Sequence, residues 1–172
     1  MYFLSINGAS CSGKSTIIKE IVKSEGNLFH LSYDTLKWSF SKYNSKTHYN
    51  LVAELLLNLA KFIVNKKYNI IYDSSLYKKD RNKLISLAKK HGYKIIEINL
   101  EADFSVLKER FKERVASALT NPGSRISNIS DKRFKELFNI FEREKNKKAL
   151  EIRTDNQEIG DVVKNILKLI KK

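Results

Sequence analysis

The chain has 172 residues, 42% of them hydrophobic and 30% charged, which suits one domain with a buried core. Its net charge of +14, from 33 Lys and Arg against 19 Asp and Glu, makes a surface that attracts polyanions, although Lys is spread along the whole sequence. No apolar run reaches the roughly 18 residues of a membrane span, the single Cys11 excludes an internal disulfide, and His30, His48 and His91 lack metal-site spacing, so a cytoplasmic protein without a membrane partner is expected.

Strand-like and helix-like segments alternate along the chain. Tyr2–Asn7 is a short apolar run, read as a buried strand because no basic region precedes it. It leads into Gly8-Ala9-Ser10-Cys11-Ser12-Gly13-Lys14-Ser15. Lys14–Lys23 follows, with Ile17, Ile18, Ile21 and Val22 at helical spacing. Leu28–Tyr33 is the second strand. Asp34 stands where a helix starts, with Leu36, Phe40 and Tyr43 after it. Tyr49–Val64 is a longer, Leu-rich helix, and Tyr68–Tyr72 is the third strand, ending in Asp73-Ser74-Ser75. Lys78–His91 is amphipathic and stops at Gly92. Tyr93–Leu100 is the fourth strand and Phe104–Val115 a helix. Ser117–Ser130 reads as a loop holding Pro122, the only proline. Asp131–Lys145 is helical, Ala149–Arg153 a short fifth strand, and Ile159, Val162, Val163, Ile166, Leu167 and Ile170 line one face of a last helix.

This alternation implies an α/β domain, a parallel sheet with helices on both faces. Ligands of such sheets bind beyond the carboxyl ends of the strands. Gly8–Ser15, Asp34 and Asp73 all follow strands, so they should converge on one edge. One domain, 1–172, is expected, with a lid segment at about 115–131.

Gly8 to Ser15 has the pattern G-x-x-x-x-G-K-[ST], after a strand and opening a helix. The glycines allow a backbone whose amides point at phosphate oxygens. Lys14 brings positive charge to the β- and γ-phosphates. The Ser15 hydroxyl can ligate Mg²⁺, and the helix presents its positive end. The expected nucleotide contacts are Gly8, Ala9, Ser10, Cys11, Ser12, Gly13, Lys14, Ser15 and Thr16. Cys11 reads as a small, variable loop position.

Phosphoryl transfer also needs a proton acceptor and positive charge around the transferring group. Asp34 would supply the first from across the cleft, although Asp also suits a helix N-cap. Asp73, after an apolar strand, resembles the second phosphate-site motif of nucleotide-binding proteins and would hold Mg²⁺ through water, or orient the acceptor or an arginine. Its alternative is a strand-end turn with Ser74. Arg110 and Arg114 share one helix face beside a loop holding Pro122, Gly123 and Arg125. They could neutralise transition-state charge under a basic lid, or pair with Glu109 and Glu113.

These residues resemble the small P-loop kinases of the polynucleotide-kinase, zeta-toxin and chloramphenicol-phosphotransferase type. The likeness runs from Tyr2 to about Arg114, and less clearly beyond. Ile6–Thr16 looks like that group's phosphate loop, and Asp34 falls where those kinases carry an acceptor-side Asp. Asp73-Ser74-Ser75 with Arg81 looks like the Asp-Thr-Asn…Arg stretch of the polynucleotide-kinase branch. Arg110 and Arg114 have the spacing of its lid arginines. The resemblance implies a P-loop NTPase fold in three αβα layers, a five-stranded parallel sheet in order 2-3-1-4-5, a helical lid, and ATP with Mg²⁺ as donor.

Polynucleotide kinases can carry an Arg three residues after the acceptor-side Asp. Lys37 stands there in this chain, without the bidentate fork. The expected acceptor side is Asp34, Lys37, Trp38 and Arg81, with Phe40 and Trp38 as a wall or as ordinary core. The leading expectation is transfer to a hydroxyl, with the 5′-OH of a nucleic acid first among acceptors. A small-molecule, nucleoside or nucleotide kinase is one alternative, and a nucleotide-binding switch or NTPase is the other. The sequence leaves the acceptor and the oligomeric state open.

Overall fold

The computed structural model describes residues 1–73, 77–120 and 130–171, the side chains of 118–120 apart. Its strands are β1 (Tyr2–Gly8), β2 (Leu28–Ser32), β3 (Asn69–Asp73), β4 (Lys94–Glu101) and β5 (Leu150–Arg153). Its helices are α1 (Lys14–Ser24), α2 (Tyr33–Lys37), α3 (Ser45–Asn65), α4 (Lys78–Lys90), α5 (Phe104–Thr120), α6 (Asp131–Glu144) and α7 (Ile159–Lys171). The five strands form one parallel sheet in the order β2-β3-β1-β4-β5. The sheet order and the layers match the expected P-loop fold.

A parallel sheet must be covered on both faces. One face carries α1 and α7, where Ile17, Ile18, Ile21, Val162 and Ile166 pack on Leu4, Ile6, Ile71 and Ile98. The other carries α3 and α4, where Val52, Leu56, Ala60, Leu84 and Ala88 pack on Phe3, Ile70 and Tyr72. A third cluster joins α5 to α6: Phe111 stacks on Phe134 at 4.5 Å between ring centroids, and Ala9 and Cys11 pack against the same group. The phosphate loop is therefore clamped from the side by α5 and α6.

The register brings the site residues level. Asp73 lies opposite Ile6 in β1 and opposite Ser32 in β2, and Gly8 lies opposite Leu100 in β4. All carboxyl ends open on one edge. Among the described residues, no helix is long and apolar enough to cross a membrane.

Some boundaries differ from the expected ones. Tyr33 leaves β2 and opens α2, because the Ser32 side chain accepts from the Thr35 amide at 3.3 Å and caps a helix there. α3 begins four residues early, at Ser45, because the Asn44 side chain accepts from Lys46 N. α5 continues to Thr120, so 116–120 are helical and not loop. Ala116, Ala118 and Leu119 favour helix, and Ser117 Oγ donates back to the Glu113 carbonyl at 2.9 Å. Of the expected lid at 115–131, the described ends belong to α5 and α6. Pro122, Gly123 and Arg125 lie outside the described residues, as do Ser74 and Ser75.

Candidate active site

The phosphate loop turns on two left-handed residues. Gly13 has φ 86° and stands as the N-cap of α1, and Cys11 has φ 67°. A Cβ at Gly8 would collide with Ser12 Oγ and stand 3.1 Å from the Leu100 carbonyl, so β4 lets only glycine end β1. Lys14 folds back over the loop. Its Nζ donates to the Gly8 carbonyl at 2.6 Å and to the Ala9 carbonyl at 3.0 Å. Burial pulls its pKa down, while Asp73 and Asp34 pull it up in part.

Asp73 is 7% exposed, and its Oδ1 has no hydrogen-bond partner among the described residues. Burial raises its pKa, and the Lys14 ammonium offsets only part of that. An orphaned buried carboxylate oxygen level with a phosphate loop fits a Mg²⁺ ligand. Mg²⁺ takes hard oxygen donors, needs one or two from the protein, and fills its shell with water and phosphate oxygens. Ser15 Oγ is the second such donor.

The buried charge has a measurable consequence. The folded chain keeps the Asp73 proton at a pH where the unfolded chain, at about 3.8, has released it. Stability therefore falls as pH rises through that interval. Asp73→Asn should remove the fall and raise ligand-free stability at pH 7 by about 1 kcal/mol, or about 2–4 °C in Tm. An unchanged or lower Tm in calorimetry would contradict this.

Asp34 lies in the first turn of α2 but does not cap it, since Ser32 does. Its carboxylate is free of backbone bonds and receives Lys37 Nζ at 2.8 Å. Lys37 in turn lies over the Trp38 ring at 4.7 Å and the Tyr43 ring at 5.8 Å. Trp38 is 41% exposed and stands outside the cleft lining, and Phe40 packs against the α3 core. Tyr33, Tyr43, Tyr49 and Tyr77 line the cleft on the side of Asp34. The Tyr33 and Tyr43 hydroxyls meet at 2.7 Å, and Tyr49 donates to Asp80 while accepting from Tyr77 N. Burial holds the Tyr33 and Tyr49 phenols well above their ordinary pKa, so both stay neutral.

The arginines divide. Arg110 lines the cleft but is tied to Thr154, donating to its carbonyl at 2.7 Å and its hydroxyl at 3.4 Å, and pairs with neither Glu109 nor Glu113. Arg114 is exposed at the cleft, beside the Cys11 thiol, whose pKa burial nonetheless raises. Arg81 is 3% exposed and donates through Nη2 to the Glu144 carbonyl at 2.8 Å, which ties α4 to the end of α6. Sequence reasoning missed Arg133, which joins Leu137, Ile140 and Phe141 as a cleft wall on α6. It also missed Thr154, Gln157 and Ile159 at the far end, after β5. The apolar positions Phe134, Leu137, Phe138 and Phe141 at helical spacing in α6 are a signal for a buried face, but not for what that face covers.

One cleft of about 910 Å³ has Gly8–Ile17 at its floor, Asp34, Lys37 and Asp73 on one side, and Arg110, Arg114 and Arg133 on the other. A family profile described as an AAA domain matches residues 4–143, which takes in this floor and most of the walls. The chain belongs to the AAA domain family. No curated protein matches it in sequence. Several solved structures share the fold of this AAA domain. The tunicamycin resistance protein of Deinococcus radiodurans superposes with a TM-score of 0.65 at 15% identity, over 98% of this chain and 95% of its own. The APS kinase CysC of Mycobacterium tuberculosis, solved with AMPPNP and APS, gives 0.66 at 13%, over 99% and 98%. A chain of the Pnkp1/Rnl/Hen1 RNA repair complex gives 0.66 at 14%, over 83% of this chain and 44% of its own. At these identities the likeness establishes the fold alone.

Proposed function

We propose that the protein is an ATP-dependent kinase that transfers the γ-phosphoryl group to a hydroxyl acceptor. The observation that carries this reading is the convergence of Asp34 and Asp73 on the edge that holds Lys14, in one cleft with three arginines opposite. A nucleotide switch needs the loop and the metal ligand. It does not need a second carboxylate in the same cleft.

The loop amides and the α1 N-terminus would cradle the phosphates, with Lys14 turning from the Gly8 and Ala9 carbonyls to the β- and γ-phosphates. Ser15 and Asp73 would hold Mg²⁺, which offsets phosphate charge. Asp34 orients the acceptor hydroxyl and takes its proton. The acceptor oxygen bonds to the γ-phosphorus as the bond to the bridging oxygen breaks and ADP leaves. Arg114 and Arg133 face the charge that develops.

The +14 charge, with Lys37 beside Asp34, supports an anionic acceptor, the 5′-OH end of a nucleic acid first. The four-tyrosine wall supports a second reading, a small ring-bearing alcohol stacked on those faces. Transfer of label from γ-³²P-ATP to a panel of 5′-OH DNA and RNA oligomers, nucleosides and small alcohols separates them. Label on oligomers, lost steeply with salt, is the expected result. Label on small alcohols alone selects the second reading. Phosphate release with no labelled acceptor overturns the kinase.

A further inference from the structure

Helix α3 buries Val52, Leu56, Ala60, Ile63 and Val64 on the sheet side and leaves Leu51, Leu55 and Phe62 45%, 43% and 58% exposed. Positions 51, 55, 58 and 62 repeat at alternating four- and three-residue steps, so they form one outward stripe, about 18 Å long. None of these residues lines the cleft. Glu54 and Lys61, seven residues apart, stand on the same flank of the stripe. Both are exposed, Lys61 Nζ reaches only Asn58 Oδ1 at 3.3 Å, and neither joins an ion pair among the described residues.

We propose that this stripe is a self-association face, on which two copies of the chain pack α3 against α3, antiparallel, about a two-fold axis. The register that sets Leu51 against Phe62 of the partner subunit also sets Leu55 against Asn58 of the partner subunit. Between those two layers, Glu54 meets Lys61 of the partner subunit, and the two-fold repeats every contact. Apolar layers and charges thus select the same register. A parallel pair would instead set Glu54 against Leu59 of the partner subunit and leave both charges unpaired. A uniformly acidic or basic partner would be repelled by one end of the flank. A second copy of this helix, run antiparallel, satisfies both charges.

Three exposed apolar side chains on one helix cover less than the roughly 800 Å² per partner of a stable complex, and the +14 on each chain opposes contact until salt screens it. The dimer is therefore weak, with a dissociation constant of about 10–500 µM at about 0.15 M salt. Sedimentation of the full chain from about 5 to about 1000 µM tests it. Phe62→Ser should raise the dissociation constant at least about tenfold. Glu54→Lys and Lys61→Glu should each raise it about fivefold, and the doubly exchanged chain should return to within about twofold of the original. Circular dichroism of each variant should be unchanged, because all three positions are exposed, and Leu51→Ser serves as a second apolar variant. A chain that stays monomeric throughout overturns the proposal. So does a dimer indifferent to Phe62→Ser and Leu51→Ser, or a doubly exchanged chain as weak as the single ones.

Discussion

An Asp34→Asn chain should bind ATP as the unaltered chain does and transfer its phosphoryl group about 10²- to 10⁴-fold more slowly. Asn keeps the shape and loses the proton acceptor. Nothing else at that position should suffer much. Ser32, not Asp34, caps α2, so the helix start survives. The lost ion pair with Lys37 joins neighbours three apart on a half-exposed carboxylate, and such pairs contribute about 0.5 kcal/mol or less. Single-turnover transfer with calorimetric ATP titration on the same sample checks both halves. Transfer within about threefold of the original would remove Asp34 from the chemistry. Loss of ATP binding would place it on the donor side instead.

Lys14→Ala should lower transfer by about 10³-fold or more, whatever the acceptor, because it removes the one ammonium on the loop floor that can follow charge onto the γ-phosphate. Its effect on the empty protein has the opposite character. Lys14 is bonded to two loop carbonyls, yet burial lowers its pKa, so the charged amine is held at a cost. The folded chain releases that proton below 10.5, where the unfolded chain still holds it. Stability of the unaltered chain therefore rises as pH climbs through that interval, and the Ala chain should lack the rise. Near neutral pH the two should differ by about 1 kcal/mol or less in urea unfolding. A variant that loses several kcal/mol would mean that Lys14 holds the loop together, and the transfer defect would then say nothing about chemistry.

The parts of the site that rest on backbone geometry were legible early. Gly8, Gly13 and Lys14 work through a turn whose residue types are dictated locally, and the turn stands where the pattern places it. The strand ends carrying Asp73 and preceding Asp34 were legible too, because a parallel sheet sends every carboxyl end to one edge. The walls were not. Trp38 and Phe40 are as aromatic as Tyr43 and Tyr49, and only the path of the chain between α2 and α3 turns the tyrosines inward. Arg110 has the spacing of a phosphate-binding residue, and Thr154, forty-four residues on, holds it. Arg133 looked like one charge among many until the phenylalanines of α5 and α6 stacked and brought it over the cleft.

The sequence by itself determined the elements, their order along the chain and the residues of the phosphate loop, because periodicity, caps and left-handed turns are decided within a few neighbouring residues. Tertiary structure alone decided which side chains line the cleft, which partner each arginine is tied to, and which face of α3 is left uncovered. Those are questions of what packs against what, and the contacts that answer them join residues tens of positions apart.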